Sequence, residues 1–125
     1  MKLLLALVAL VIAGLGSAQP YMNAQKPDPN AAKKLAALQK AYVSAKAAYA
    51  KKPKDAKVKK AYIDVTVVYG HESMMSQTLD RKVKYKQALN LYREALKLDP
   101  KNPIAKKESE LIIAIYTQMK RPIPK

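Results

Sequence analysis

The residues with the most evident chemical potential stand side by side at His71-Glu72-Ser73. They supply the base, acid and nucleophile types of an acyl-transfer triad. Adjacent residues on a helix point in different directions, however, so these three cannot converge on one substrate. His71 is the single histidine and there is no cysteine, which leaves a protein-only zinc site without its usual nitrogen and sulfur ligands. Asp64 and Glu72 do not make a convincing carboxylate pair. Of three glycines, two are Gly14 and Gly16, so no glycine-rich phosphate loop exists. The expectation is a chain with no catalytic residues, no cofactor and no metal, and hence not an enzyme.

Charge is the second chemical feature. Lysine and arginine total 24 against nine acidic residues, a formal net charge of +15 that becomes +14 without Lys2. Such a balance bears on partners and solubility rather than on fold. Arginine stands only at Arg81, Arg93 and Arg121. Lysine acts as a point charge, whereas base reading favours the bidentate arginine fork. Contact with an anionic membrane, cell-wall polymer or nucleic acid is therefore expected to be salt-sensitive and non-specific, with no specific nucleic-acid partner.

Residues 1–18 read as an export signal. Lys2 forms a minimal positive region, Leu3 to Leu15 an apolar run, and Gly16-Ser17-Ala18 the small residues of a cleavage site. The run is short for a membrane span, which needs about 20 residues, so anchorage through residues 3–15 is the secondary reading. The expected product is periplasmic or secreted, and without cysteine it relies on packing rather than disulfides. Residues 19–29 read as a flexible leader, 30–120 as one helical domain and 121–125 as a tail.

Four amphipathic helices follow from spacing and punctuation. Asp28-Pro29 reads as an N-cap followed by proline in the first turn. Leu35, Leu38, Tyr42, Ala45 and Tyr49 then recur at three- and four-residue steps, and Pro53 stops the helix. Asp55 caps a second helix with Val58, Ala61, Tyr62, Val65, Val68 and Tyr69 inward, weakened near Gly70. A third runs from Val83 or Lys84 to Leu98, with Tyr85, Ala88, Leu91, Tyr92, Ala95 and Leu98 inward. Asn102-Pro103 opens a fourth, carrying Leu111, Ile112, Ile115, Tyr116 and Met119, and "RPIPK" ends it. Short links make neighbours antiparallel, so the fold is all-α: two stacked antiparallel helical hairpins. The tyrosines are expected to fill the core, and Met74-Met75 to fill a core or hairpin corner.

Aligning Pro53 with Pro100 reveals an internal echo. Ala41 matches Ala88, Ala48 matches Ala95, and Lys59-Lys60 match Lys106-Lys107, at a spacing of 47 residues. Ala88, Tyr92, Ala95 and Pro100 resemble the second helix and turn of the tetratricopeptide repeat, with Ala41, Ala48 and Pro53 as a fainter copy. The family period is about 34 residues, shorter than the spacing here. The resemblance implies an α-solenoid fragment whose alanines allow close helix approach while Tyr92 fills the space between hairpins. It also implies a groove, lined by the first helix of each pair, for an extended peptide. Lys59, Lys60, Lys106 and Lys107 would give that groove a positive rim. Ile63 stands where the family's carboxylate clamp needs asparagine, so that clamp is incomplete. The expected function is an exported, non-catalytic adaptor or scaffold that binds a protein or peptide, with self-association or docking onto a larger assembly to cover its apolar end. The alternative is a lysine-rich binder of polyanions.

Overall fold

The computed structural model describes residues 28–125. The expected export signal and nearly all of the expected leader lie outside the described residues. The described chain is all-helical, with α1 (Pro29–Lys51), α2 (Ala56–Met74), α3 (Arg81–Leu98) and α4 (Pro103–Gln118). A side-chain oxygen caps each start and satisfies backbone N–H groups that have no helical acceptor. Asp28 accepts from the Asn30 amide at 2.9 Å, and Asp55 from Lys57 and Val58 at 2.9 and 3.3 Å. Asp80 accepts from Lys82 at 3.1 Å and Asn102 from Ala105 at 3.0 Å. The third helix thus begins two residues before the expected Val83, because Asp80 supplies the cap. Gly70 does not end the second helix, which continues to Met74.

Cross-helix contacts fix the directions. Lys34 meets Glu72 while Tyr49 meets Tyr62, so α1 and α2 run antiparallel. Gln87 bonds Ser73 while Glu94 bonds Tyr62, which reverses α3 against α2. Each helix packs on its neighbour in sequence, and α2 also touches α4. The four helices therefore form two stacked antiparallel hairpins.

The core joins Ile63, Val67 and Met74 of α2 to Ala88, Leu89, Tyr92 and Ala95 of α3 and to Ala105 and Ile112 of α4. Helix α2 is covered on two sides and so buries two adjacent stripes instead of one. Tyr62 and Tyr69 meet α1 tyrosines, whereas Ile63 and Val67 enter the core shared with α3 and α4. This corrects the single inward stripe expected for that helix: Ala61 is exposed and Val68 is 46% exposed. Leu111 and Met119 are also exposed, because α4 ends the stack and has a neighbour on one side only. Met74 is buried and Met75 exposed.

The seven expected packing residues divide by helix. Ala88, Tyr92 and Ala95 have no exposed surface, since α3 lies between α2 and α4. Ala41 and Ala48 are exposed, correcting their expected packing role. Helix α1 has α2 as its main neighbour, and it turns Leu35, Leu38, Tyr42, Ala45 and Tyr49 towards it. Pro53 and Pro100 lie exposed in the two short turns. Helices α2 and α3 approach closely at Gly70, where an added Cβ would stand 2.8 Å from Tyr92 Cε1.

Candidate functional site

The residues of the apparent triad point to three different partners. Glu72 pairs with Lys34 at 2.9 Å. Ser73 is buried, donates to the Tyr69 carbonyl at 2.7 Å and accepts from Gln87 at 2.8 Å. His71 reaches Glu108 on α4 through Nδ1 at 2.8 Å, and the same carboxylate accepts the Tyr92 hydroxyl proton. The imidazole is oriented by a carboxylate, but the nearby serine hydroxyl is directed elsewhere. Its geometry is that of a clamp joining α2, α3 and α4.

Glu94 makes a second clamp. Tyr42 donates to Oε2 at 2.6 Å, Tyr62 donates to the same oxygen at 2.6 Å, and Lys46 reaches Oε1 at 3.3 Å. Partial burial alone would raise this carboxyl, but the hydrogen bonds from Tyr42 and Tyr62 and the Lys46 charge outweigh it. They hold Glu94 below its ordinary 4.5. A carboxylate kept ionised by three donors is a structural acceptor rather than a proton donor. Burial first, and the neighbouring Glu94 second, raise Tyr42 and Tyr62 above their ordinary 10.0.

These clamps are part of a wider asymmetry. Asp28, Asp55 and Asp80 cap helices, Asp99 accepts from the Lys101 amide, and Asp64 pairs with Lys60 at 2.7 Å. With Glu72, Glu94 and Glu108 also engaged, Glu110 alone lacks a partner among the described residues. No acidic residue precedes Asp28. Most of the lysines therefore face solvent with no carboxylate to neutralise them. Lys51, Lys52, Lys54 and Lys57 around the first turn share one end of the stack with Lys97 and Lys101 around the last, and all six are exposed.

The four expected rim lysines do not form one line. His71 stands level with Glu108, 37 positions later, and α2 runs parallel to α4. Lys59 and Lys60 consequently lie about 15 Å along the axis from the level of Lys106 and Lys107, at about 1.5 Å per residue. Lys60, Lys106 and Lys107 are exposed, Lys59 is half-buried, and Ile63 is buried in the core.

Open space lies elsewhere. A groove of 730 Å³ runs between α1 and α3, with Tyr42, Tyr69, Gln87, Leu91 and Glu94 among its walls and Lys82 and Lys86 at its edge. A second cavity, of 540 Å³, lies between the start of α3 and the end of α4 and includes Arg81 and Arg121. Neither is visible in the sequence. Their walls come from residues about 30 to 40 positions apart in the chain, and the scarcity of arginine is the one local signal for the second. Among the described residues no group of three or more His, Asp or Glu could hold a metal ion. No described helix is long and apolar enough to cross a membrane. No family model, no curated protein and no solved structure matches the chain.

Proposed function

We propose that the chain is an exported, non-catalytic helical-hairpin module of tetratricopeptide type that binds an anionic protein segment. One observation carries this reading. All but one of the nine carboxylates cap helices or turns or pair with other side chains, while Arg81, Lys82, Lys86 and Arg121 line open interhelical grooves with no carboxylate partner among the described residues. The burial of Ala88, Tyr92 and Ala95 and the turn at Pro100 support the family resemblance. So does the 37-residue stagger of His71 and Glu108, near the family period of about 34. The pattern of residues 1–18 supports export.

The test is affinity capture with tagged residues 19–125 from the envelope or secreted fraction, at low and at moderate salt. One discrete protein, retained at moderate salt in fixed proportion, is the expected result. A second reading is favoured by the six lysines at one end of the stack. They suit an anionic polymer or lipid surface, held by charge alone. Recovery of nucleic acid, polysaccharide and lipid together, all lost as salt rises, would support this alternative against the first.

A further inference from the structure

We propose that the cavity between the start of α3 and the end of α4 binds a peptide segment in which carboxylates flank an apolar side chain. Arg81 and Arg121 would act as the carboxylate-binding residues. The proposal deepens the interaction-module reading and rests on it.

Two of the three arginines in the chain line this one cavity. The third, Arg93, is committed to the Pro124 carbonyl at 2.7 Å. A guanidinium presents a planar fork that matches a carboxylate with two parallel hydrogen bonds, which a lysine cannot do. Neither Arg81 nor Arg121 has an acidic partner among the described residues. The one acid in the cavity wall, Asp80, already accepts from the Lys82 amide as the α3 cap.

The backbone of Arg121 is also held in position. The Arg121 amide donates to the Tyr116 carbonyl and the Lys120 amide to the Thr117 carbonyl, both at 3.0 Å. This closes α4 through a left-handed residue, Lys120, at φ 53°. The hydrogen bond from Arg93 to Pro124 then fixes the chain beyond Arg121. A side chain carried on backbone held at both sides loses less freedom on binding than one on a free tail.

The wall chemistry selects a peptide over a base or sugar polymer. Ile115 and Met119 give the cavity an apolar side, and Met119 is half exposed and adaptable in shape. Tyr85 would be a stacking platform, but the Lys84 ammonium sits 5.2 Å from its ring centre and is tied to the Ser76 carbonyl at 3.1 Å. With one face of that ring covered, Ile115 and Met119 are the larger apolar surface and favour an aliphatic side chain.

The experiment is fluorescence anisotropy of the purified chain with a labelled synthetic peptide alternating glutamate with leucine. Its glutamine counterpart, a thymidine oligonucleotide and phosphatidylglycerol vesicles complete the set. The glutamate peptide should bind and the glutamine peptide should not. Arg81→Gln and Arg121→Gln should each weaken the glutamate peptide about ten-fold, as expected for loss of a charged hydrogen-bond pair. Arg121→Lys should lose nearly as much, because it keeps the charge and removes the fork. Lys54→Gln combined with Lys101→Gln should leave peptide affinity within about two-fold and weaken the oligonucleotide, since the charge they remove lies at the opposite end. Both arginines are exposed, and unchanged melting curves would verify that the variants fold. Peptide binding that survives both arginine changes but fails in the double lysine variant overturns this site and leaves the interaction reading standing. Oligonucleotide or vesicle binding that falls in step with peptide binding in the arginine variants overturns the choice of a peptide ligand. Absence of peptide binding, with the oligonucleotide bound, overturns both the site and the reading beneath it.

Discussion

Replacing Gly70 with alanine tests the packing of α2 against α3 at a close contact. Two opposed effects follow from one methyl group. In a helix interior alanine is favoured over glycine by about 1 kcal/mol. The same methyl would stand 2.8 Å from Tyr92 Cε1 and 3.2 Å from Cδ1 and Cζ, inside contact distance for all three atoms. Relief requires the ring to withdraw. Tyr92 has no exposed surface, and its hydroxyl is bonded to Glu108, which also holds His71. The ring is therefore fixed at both ends, and overpacking of this kind costs about 2 to 3 kcal/mol. The net expectation is a loss of about 1 to 2 kcal/mol, which for a domain of this size lowers the melting temperature by roughly 5 to 10 °C. Thermal unfolding followed by circular dichroism, with urea unfolding as a check, measures it directly. A Gly70→Ala variant as stable as the parent or more stable would refute the reasoning, because helix propensity would then have won and the α2–α3 contact could not be as close as described.

Glu94→Ala leaves the Tyr42 and Tyr62 hydroxyls without their acceptor and should cost about 2 kcal/mol in urea unfolding. Because the folded Glu94 carboxyl lies below its ordinary 4.5, its contribution is full above pH 4.5 and is lost as pH falls through the lower folded value; Glu94→Gln should flatten that acid limb of the stability curve. Burial first, and then Glu94 or Glu108, raise Tyr42, Tyr62 and Tyr92 above 10.0, and burial alone raises Tyr69. Their contribution is complete below pH 10 and is lost as pH climbs towards the folded values, so tyrosinate absorbance and loss of helix should rise together above pH 10. Lys120→Gly removes a side chain from a left-handed residue and should raise stability by about 1 kcal/mol.

Helix starts and stops were legible because they are local chemistry. Asp28-Pro29, Asp55 and Asn102-Pro103 each place a side-chain acceptor at the position where the first turn needs one. The inward stripe of α1 was legible as well, since a helix with one main neighbour buries one face. The stripe of α2 was not, because a helix packed on two sides buries adjacent faces, and periodicity alone does not say how many neighbours it has. Ala41 and Ala48 matched Ala88 and Ala95 in type, yet burial depends on a helix lying beyond them, and α1 ends the stack. The clamps at Glu94 and Glu108 were hidden for a related reason. They depend on the stagger between helices, which the 47-residue echo misstates and the His71–Glu108 pair reveals as 37. The arginine cavity likewise needs α3 and α4 folded together before Arg81 and Arg121 line one space.

The central claim is that this surface recognises one protein segment rather than negative charge in general. Titration calorimetry of the purified chain with its captured partner, and separately with a DNA oligonucleotide, each across a range of salt, tests that claim most directly. The account predicts saturable binding of the partner in fixed proportion, with affinity declining less steeply in salt than for DNA. Equal, steep decline for both, with no preference for the protein, would contradict it.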